Sequence, residues 1–176
     1  MGNFYTNITV LGRDGALVAS RLRSLAREAF VADVGGSCVV YDRECDEQRT
    51  ETLGALAARL SRELGARSFA VLNHDDDALW FQLYDRSGLI AEYSSRGGAR
   101  TKVKALCRAL GRPREVLAMW MLLKRPFVFE VSRHRLLARR LELPEASVGA
   151  GFEYVRRGET PSGVHAGQLL QVRPGG

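Results

Sequence analysis

The string Asn73-His74-Asp75-Asp76-Asp77 sets one imidazole and three carboxylates within five residues, a donor mixture that hard or borderline divalent cations accept. Adjacent side chains on a tight turn diverge, however, and asparagine and aspartate are what a solvent-exposed turn uses in any case. The leading expectation is a turn whose carboxylates, Asp75, Asp76 and Asp77, form part of a rim for a macromolecular partner. A divalent-metal-dependent enzyme built around His74 to Asp77 is the third alternative. His134 and His165 stand alone, and no second cluster at ligand spacing completes a metal site. No metal and no cofactor are expected.

Nucleophilic chemistry has little to work with. No G-x-S-x-G elbow is present, and Cys38, Cys45 and Cys107 lie in apolar settings without C-x-x-C spacing, so each reads as a small buried hydrophobe. Gly35-Gly36 and Gly97-Gly98 are pairs rather than phosphate-loop or dinucleotide signatures, and they read as turns. No catalytic residue is expected.

Arg133, Arg135, Arg139 and Arg140, followed by a short turn and a segment opening at Pro144, match the two-helix unit that places a second helix in the major groove of DNA. At the start of that second segment stand Glu145, Ala146 and Ser147, where base-reading donors belong. Nucleic-acid binding through the basic helices is therefore the runner-up, and a solvated basic face is the plainer reading.

Trp80, Phe81, Tyr84 and Tyr93, with Met119, Trp120 and Met121, are the large side chains that dominate either cores or interfaces. Strand alternation puts Leu79, Phe81 and Leu83 on one face and Trp80, Gln82 and Tyr84 on the other. The second face either receives the C-terminal helices or offers Trp80 and Tyr84 to a partner.

The elements that position these residues follow from periodicity. Phe4 to Leu11 alternates as a strand. Asp14 caps a helix whose Val18, Leu22, Leu25 and Ala29 recur at helical spacing through Phe30. Val31 to Val34 and Ser37 to Asp42 flank Gly35-Gly36 as a hairpin, and Asp46 is expected to cap a helix carrying Leu53, Leu56, Leu60 and Leu64 that stops at Gly65. Three further strands, Ser68 to Asn73, Ala78 to Tyr84 and Gly88 to Ser94, make a meander joined through residues 74–77 and 85–87. This order predicts an α+β fold: a split βαβ (ferredoxin-like) sheet with an added hairpin, followed by a C-terminal helical subdomain.

Residues 94–100 read as a linker, dividing the chain into a sheet subdomain (1–95) and a basic helical subdomain with an irregular tail (96–176). Helices are expected at about 101–110, 113–123, 127–141 and 144–157. Charge changes sign at the same place. Residues 1–95 carry 10 basic and 14 acidic side chains, whereas residues 96–176 carry 16 and 6, within a net charge of +6. Only three of the 26 cations are lysines, a skew that points to a GC-rich bacterial genome.

The longest apolar run, Val116 to Leu123, is too short to cross a bilayer, and the N-terminus lacks the basic and apolar stretches of a secretory signal. The expected setting is cytoplasmic, without a membrane partner. The expected function is that of a non-catalytic interaction protein, an immunity-like or adaptor-like α+β domain that meets another macromolecule through its acidic turn and aromatic strand face.

Overall fold

A computed structural model describes residues 2–86, 88–97 and 101–174; Ser87 in the expected turn and residues 98–100 of the expected linker lie outside the described residues. The chain is a mixed α+β protein with a seven-stranded antiparallel sheet. Its strands are β1 (Tyr5–Leu11), β2 (Ala29–Asp33), β3 (Ser37–Asp42), β4 (Arg67–His74), β5 (Ala78–Asp85), β6 (Gly88–Ser94) and β7 (Leu169–Val172). Their order across the sheet is β6-β5-β4-β1-β3-β2-β7.

Between β1 and β2 lies α1 (Gly15–Ser24), and between β3 and β4 lies α2 (Thr50–Leu64). The second half contributes α3 (Val103–Ala109), α4 (Val116–Lys124), α5 (Glu130–Leu141) and the short α6 (Phe152–Arg156). Local chemistry accounts for several boundaries. The Asp14 carboxylate accepts from the Leu17 amide at 2.8 Å, satisfying a donor that the first turn of α1 would otherwise leave open. Gly35 and Gly36, at φ +72° and +89°, take the left-handed turn between β2 and β3, and Gly65 at φ +57° ends α2.

Helices cover both faces of the sheet. Ile8, Val10, Cys38, Val40, Ala70 and Leu72 point into one core with Val18 and Leu22 of α1 and Leu53, Leu56 and Leu60 of α2. On the opposite face, Tyr5, Phe69, Val71, Leu79, Phe81, Leu83 and Tyr93 pack against Leu106 of α3, Met119 of α4 and Leu137 and Leu141 of α5. Phe81 stacks between Phe69 and Tyr93, with centroids 5.1 and 5.2 Å apart. A third cluster joins Ala32, Val39 and Tyr41 to Ala146, Ala150, Phe152 and Val155. The C-terminal helices thus cover the Phe81 face, not the Trp80 face.

Five expected features change. The first helix stops at Ser24 rather than Phe30, because Ala26 turns the chain at φ +53° and Ala29 opens β2 in register with Asp42. Asp46 does not cap α2. It sits in a 3₁₀ turn (Cys45–Glu47), and its carboxylate accepts from the Glu153 amide at 3.0 Å, at the start of α6. α5 begins three residues later than expected, at Glu130, which leaves Val128 and Phe129 in a loop.

The expected helix 144–157 is mostly irregular. Asn7 Nδ2 donates to the carbonyls of Ser147 (2.8 Å) and Ala150 (2.9 Å), and the Tyr41 hydroxyl donates to that of Ala146 (2.7 Å). Side chains of the sheet thereby take carbonyls that a helix would have used, and only a 3₁₀ turn (Glu145–Ser147) and α6 form. The tail is not irregular throughout, since Leu169–Val172 pairs antiparallel with β2 as an edge strand and buries Val172.

Candidate functional site

The turn between β4 and β5 divides its three carboxylates between two roles. Asp76 is buried, and its oxygens accept from the Asn3 amide (3.1 Å), Asn3 Nδ2 (2.8 Å), Asn73 Nδ2 (2.9 Å) and the Val131 amide (3.3 Å). Its carbonyl accepts from the Glu130 amide at 2.8 Å. It therefore ties the N-terminal segment and the start of α5 to the turn, and the expectation of a rim residue is corrected to one of an internal bracket.

Asp75 and Asp77 stay exposed at the tip. Asp75 accepts from the Gly2 amide at 2.9 Å, and Asp77 pairs with Arg96 at 2.5 Å. His74 shares a 2.5 Å hydrogen bond with Gln48 and meets the Phe4 ring edge-on, with centroids 5.0 Å apart. Among the described residues no three His, Cys, Asp or Glu side chains converge to hold a metal ion.

Trp80 and Tyr84 share the face that carries α2, but α2 reaches only part of β5. Both rings pack half-buried against the α2 core, and a groove of about 260 Å³ opens between the helix and the strands. It is lined by Thr50, Glu51, Gly54 and Ala55 from the helix and by Trp80, Gln82, Tyr84 and Glu92 from the sheet. Its polar wall is organised. The Tyr84 hydroxyl donates to Gln82 Oε1 at 2.6 Å, and Gln82 Nε2 donates to Glu92 at 2.7 Å. Gly54 permits this approach, since a Cβ there would lie 2.7 Å from Gln82 Oε1 and 3.2 Å from the Tyr84 hydroxyl. The groove opens close to the acidic turn, because Gln48, two residues before α2, bonds both His74 and the Asn73 carbonyl.

The four arginines do not form one face. Arg133 is buried, pairs with Glu130 at 2.7 Å, and donates to the Tyr93 hydroxyl and the Leu122 and Leu123 carbonyls. Its guanidinium also lies over the rings of Phe127 and Tyr93. The expectation of a solvated cation at 133 is corrected: Glu130, three residues earlier on the same helix, supplies the countercharge that lets an arginine enter the core. Arg140 pairs with Glu115 at 2.8 Å. Arg135 and Arg139 remain exposed and line a recess of about 130 Å³ with Leu143, Glu145, Val148 and Ser162. Pro144 opens no recognition helix, so the two-helix DNA-reading unit is not formed.

Buried titratable groups sit where acid–base or thiol chemistry is suppressed. Burial lowers the His134 pKa to about 3 and raises that of Cys38 to about 12, with Asp33 and Asp14 adding to the latter; Cys45 and Cys107 are raised by burial as well. The Cys38 thiol donates to the Arg13 carbonyl at 2.9 Å. Such thiols stay protonated and weakly nucleophilic.

Sequence reasoning grouped Trp120 and Met121 with the core-or-interface side chains but did not identify the surface they share. Exposed large apolar side chains concentrate between residues 117 and 129: Leu117 (67% exposed), Trp120 (48%), Met121 (54%), Val128 (86%) and Phe129 (58%). The usable signal was the 116–123 run itself, apolar on every side of its helix, so that burying Met119, Leu122 and Leu123 necessarily presents the rest outward.

Compared with known proteins, the chain matches no family model, no curated protein and no solved structure.

Proposed function

We propose that this chain is a non-catalytic interaction protein, an immunity-like or adaptor-like α+β domain that binds another protein along the groove beside α2. The observation that carries this reading is the uncovered part of β5: Trp80 and Tyr84 line a groove with Glu51 and Glu92, next to a turn that exposes Asp75 and Asp77. Aromatic side chains beside ordered polar groups are the composition of interface centres. The carboxylates around them suit a partner segment with basic side chains. The same reading takes β4-β1-β3-β2 with α1 and α2 as a ferredoxin-like split βαβ unit, extended by β5 and β6 at one edge and by β7 at the other; strand order and antiparallel pairing support it. Three unpaired cysteines and 23 arginines against three lysines support a bacterial cytoplasmic setting.

The test is affinity capture from source cells with immobilised wild-type protein and two variants, Trp80→Ala and Asp75→Arg/Asp77→Arg. A partner held by the wild type and lost with both variants, each melting within a few degrees of wild type, is the expected result. Retention by both variants sinks the reading.

Nucleic-acid binding has one observation in its favour, the exposed Arg135 and Arg139 beside Ser162. Two phosphate contacts would give a log-log salt slope of about −1.8 on duplex DNA. Anisotropy across a salt series separates this from the protein-binding reading.

A further inference from the structure

α4 is too apolar for its position. Leu117, Trp120, Met121 and Lys124 occupy i, i+3, i+4 and i+7, one stripe along the outer side of a helix whose inner side is already buried. Single exposed hydrophobics are ordinary, but a row of this size on a packed helix marks an interaction surface. The Lys124 ammonium lies 4.0 Å over the Trp120 ring, so its charge is held beside the stripe rather than swinging free.

The cations of α4 and its neighbouring segments are left without carboxylate partners. Lys104, Arg108, Arg114, Lys124 and Arg125 are exposed, and among the described residues none lies within 4.0 Å of a carboxylate. The acids of this region are already taken: Glu115 by Arg140, Glu130 by Arg133 and Glu142 by Arg112.

We propose that the α4 stripe is a second docking surface and that its occupant is an acidic amphipathic helix of another protein. The stripe from Leu117 to Lys124, about 10 Å long at the helical rise with its apolar part covering about 6 Å, matches two turns of a partner helix laid against it. The unpaired cations at the two ends of α4, Arg114 before it and Lys124 and Arg125 at its end, call for aspartate or glutamate on that partner. A second copy of this chain would bring the same cations against one another. Nucleic acid would find large apolar side chains where phosphates need donors. The inference extends the interaction-protein reading toward the adaptor-like branch, with a surface separate from the α2 groove.

The probes are two synthetic helical peptides of about 18 residues, long enough to hold helix, with the same leucine stripe, one flanked by glutamate and one by lysine. Anisotropy against the full chain at roughly 0.15 M salt should show the glutamate peptide binding at least roughly tenfold more tightly. Lys124→Glu/Arg125→Glu should reverse the preference, and Leu117→Asp should weaken both peptides while leaving the melting temperature unchanged. Equal affinities, no binding of the glutamate peptide, or loss of binding on Trp80→Ala would overturn the proposal; the last result would assign the peptide to the groove. Flotation with phosphatidylglycerol vesicles, or a sedimenting dimer abolished by Leu117→Asp, would also overturn it in favour of a membrane or of self-association. Retention of the captured partner by both the Trp80 and the Asp75/Asp77 variants, with peptide binding intact, would refute the groove and leave α4 standing.

Discussion

The Tyr5 hydroxyl and Nδ1 of His134 share a 2.8 Å hydrogen bond in the buried space between β1 and α5, and the other ring nitrogen, Nε2, has no partner among the described residues. The imidazole is fully buried, and desolvation favours its neutral form, with Arg135 adding to the effect. The folded pKa, about 3, lies below the ordinary 6.5. Stability from the neutral ring is therefore complete above pH 6.5 and is lost as pH falls from 6.5 toward 3. At pH 5 the loss is about 2 kcal/mol, from 1.36 kcal/mol per unit. Urea unfolding at pH 7 and pH 5 checks this. Wild type should lose about 2 kcal/mol more between the two than His134→Gln, whose amide can still bond Tyr5 but does not titrate. An equal loss in both would show that other groups govern acid sensitivity.

The arginines of α5 should separate cleanly by stability. Arg133→Ala leaves Glu130 buried without its countercharge and strips donors from the Tyr93 hydroxyl and two carbonyls; a cost of about 3–5 kcal/mol is expected. Arg135→Ala and Arg139→Ala remove exposed cations and should each stay within about 0.5 kcal/mol of wild type. Chemical denaturation of the three variants measures the contrast. A tolerated Arg133→Ala would contradict the buried pair.

The aspartates of the 74–77 turn divide in the same way. Asp76→Asn replaces an acceptor oxygen with an amide group that must face existing donors from Asn3, Asn73 or Val131, at a cost of about 1–3 kcal/mol. Asp75→Asn and Asp77→Asn keep an acceptor at exposed positions and should change the melting temperature little. Differential scanning calorimetry distinguishes them. Similar shifts for all three would mean that the bracket is not what holds the turn.

Much of the fold was legible because its signals are local. The strand expected from Phe4 to Leu11 forms over Tyr5–Leu11, buried on both faces, and the Gly35-Gly36 turn and the stop at Gly65 came out as expected; each depends on a few neighbouring residues. The end of α1 was not legible, because Ala29 continues the helical spacing of Val18, Leu22 and Leu25, and the chain turns at Ala26, an alanine with none of the usual marks of a break. The 144–157 segment failed for a non-local reason: Asn7 and Tyr41, more than 100 residues away, take its carbonyls. The same limit applies to the candidate sites. Composition marked Asp76 and Arg133 as surface charges, and only their distant partners, Asn3 and Tyr93, show them to be interior. Trp80 and Tyr84 were placed on the correct face of β5, but how far α2 covers them depends on where the helix lies across the sheet.

The pairing of β7 with β2 bears on how the chain is made. While a ribosome produces the protein, β1, β2 and β3 emerge early, yet the outer edge of β2 waits for Leu169–Val172. At ordinary rates of synthesis that wait is roughly ten seconds. Throughout it, a row of unpaired amides and carbonyls on β2 can template pairing with another nascent chain. Val172 closes the first core as well as the edge, so both are sealed only when the last strand arrives. Any misassembly through this edge is then expected to follow crowding on polysomes rather than the concentration of finished protein.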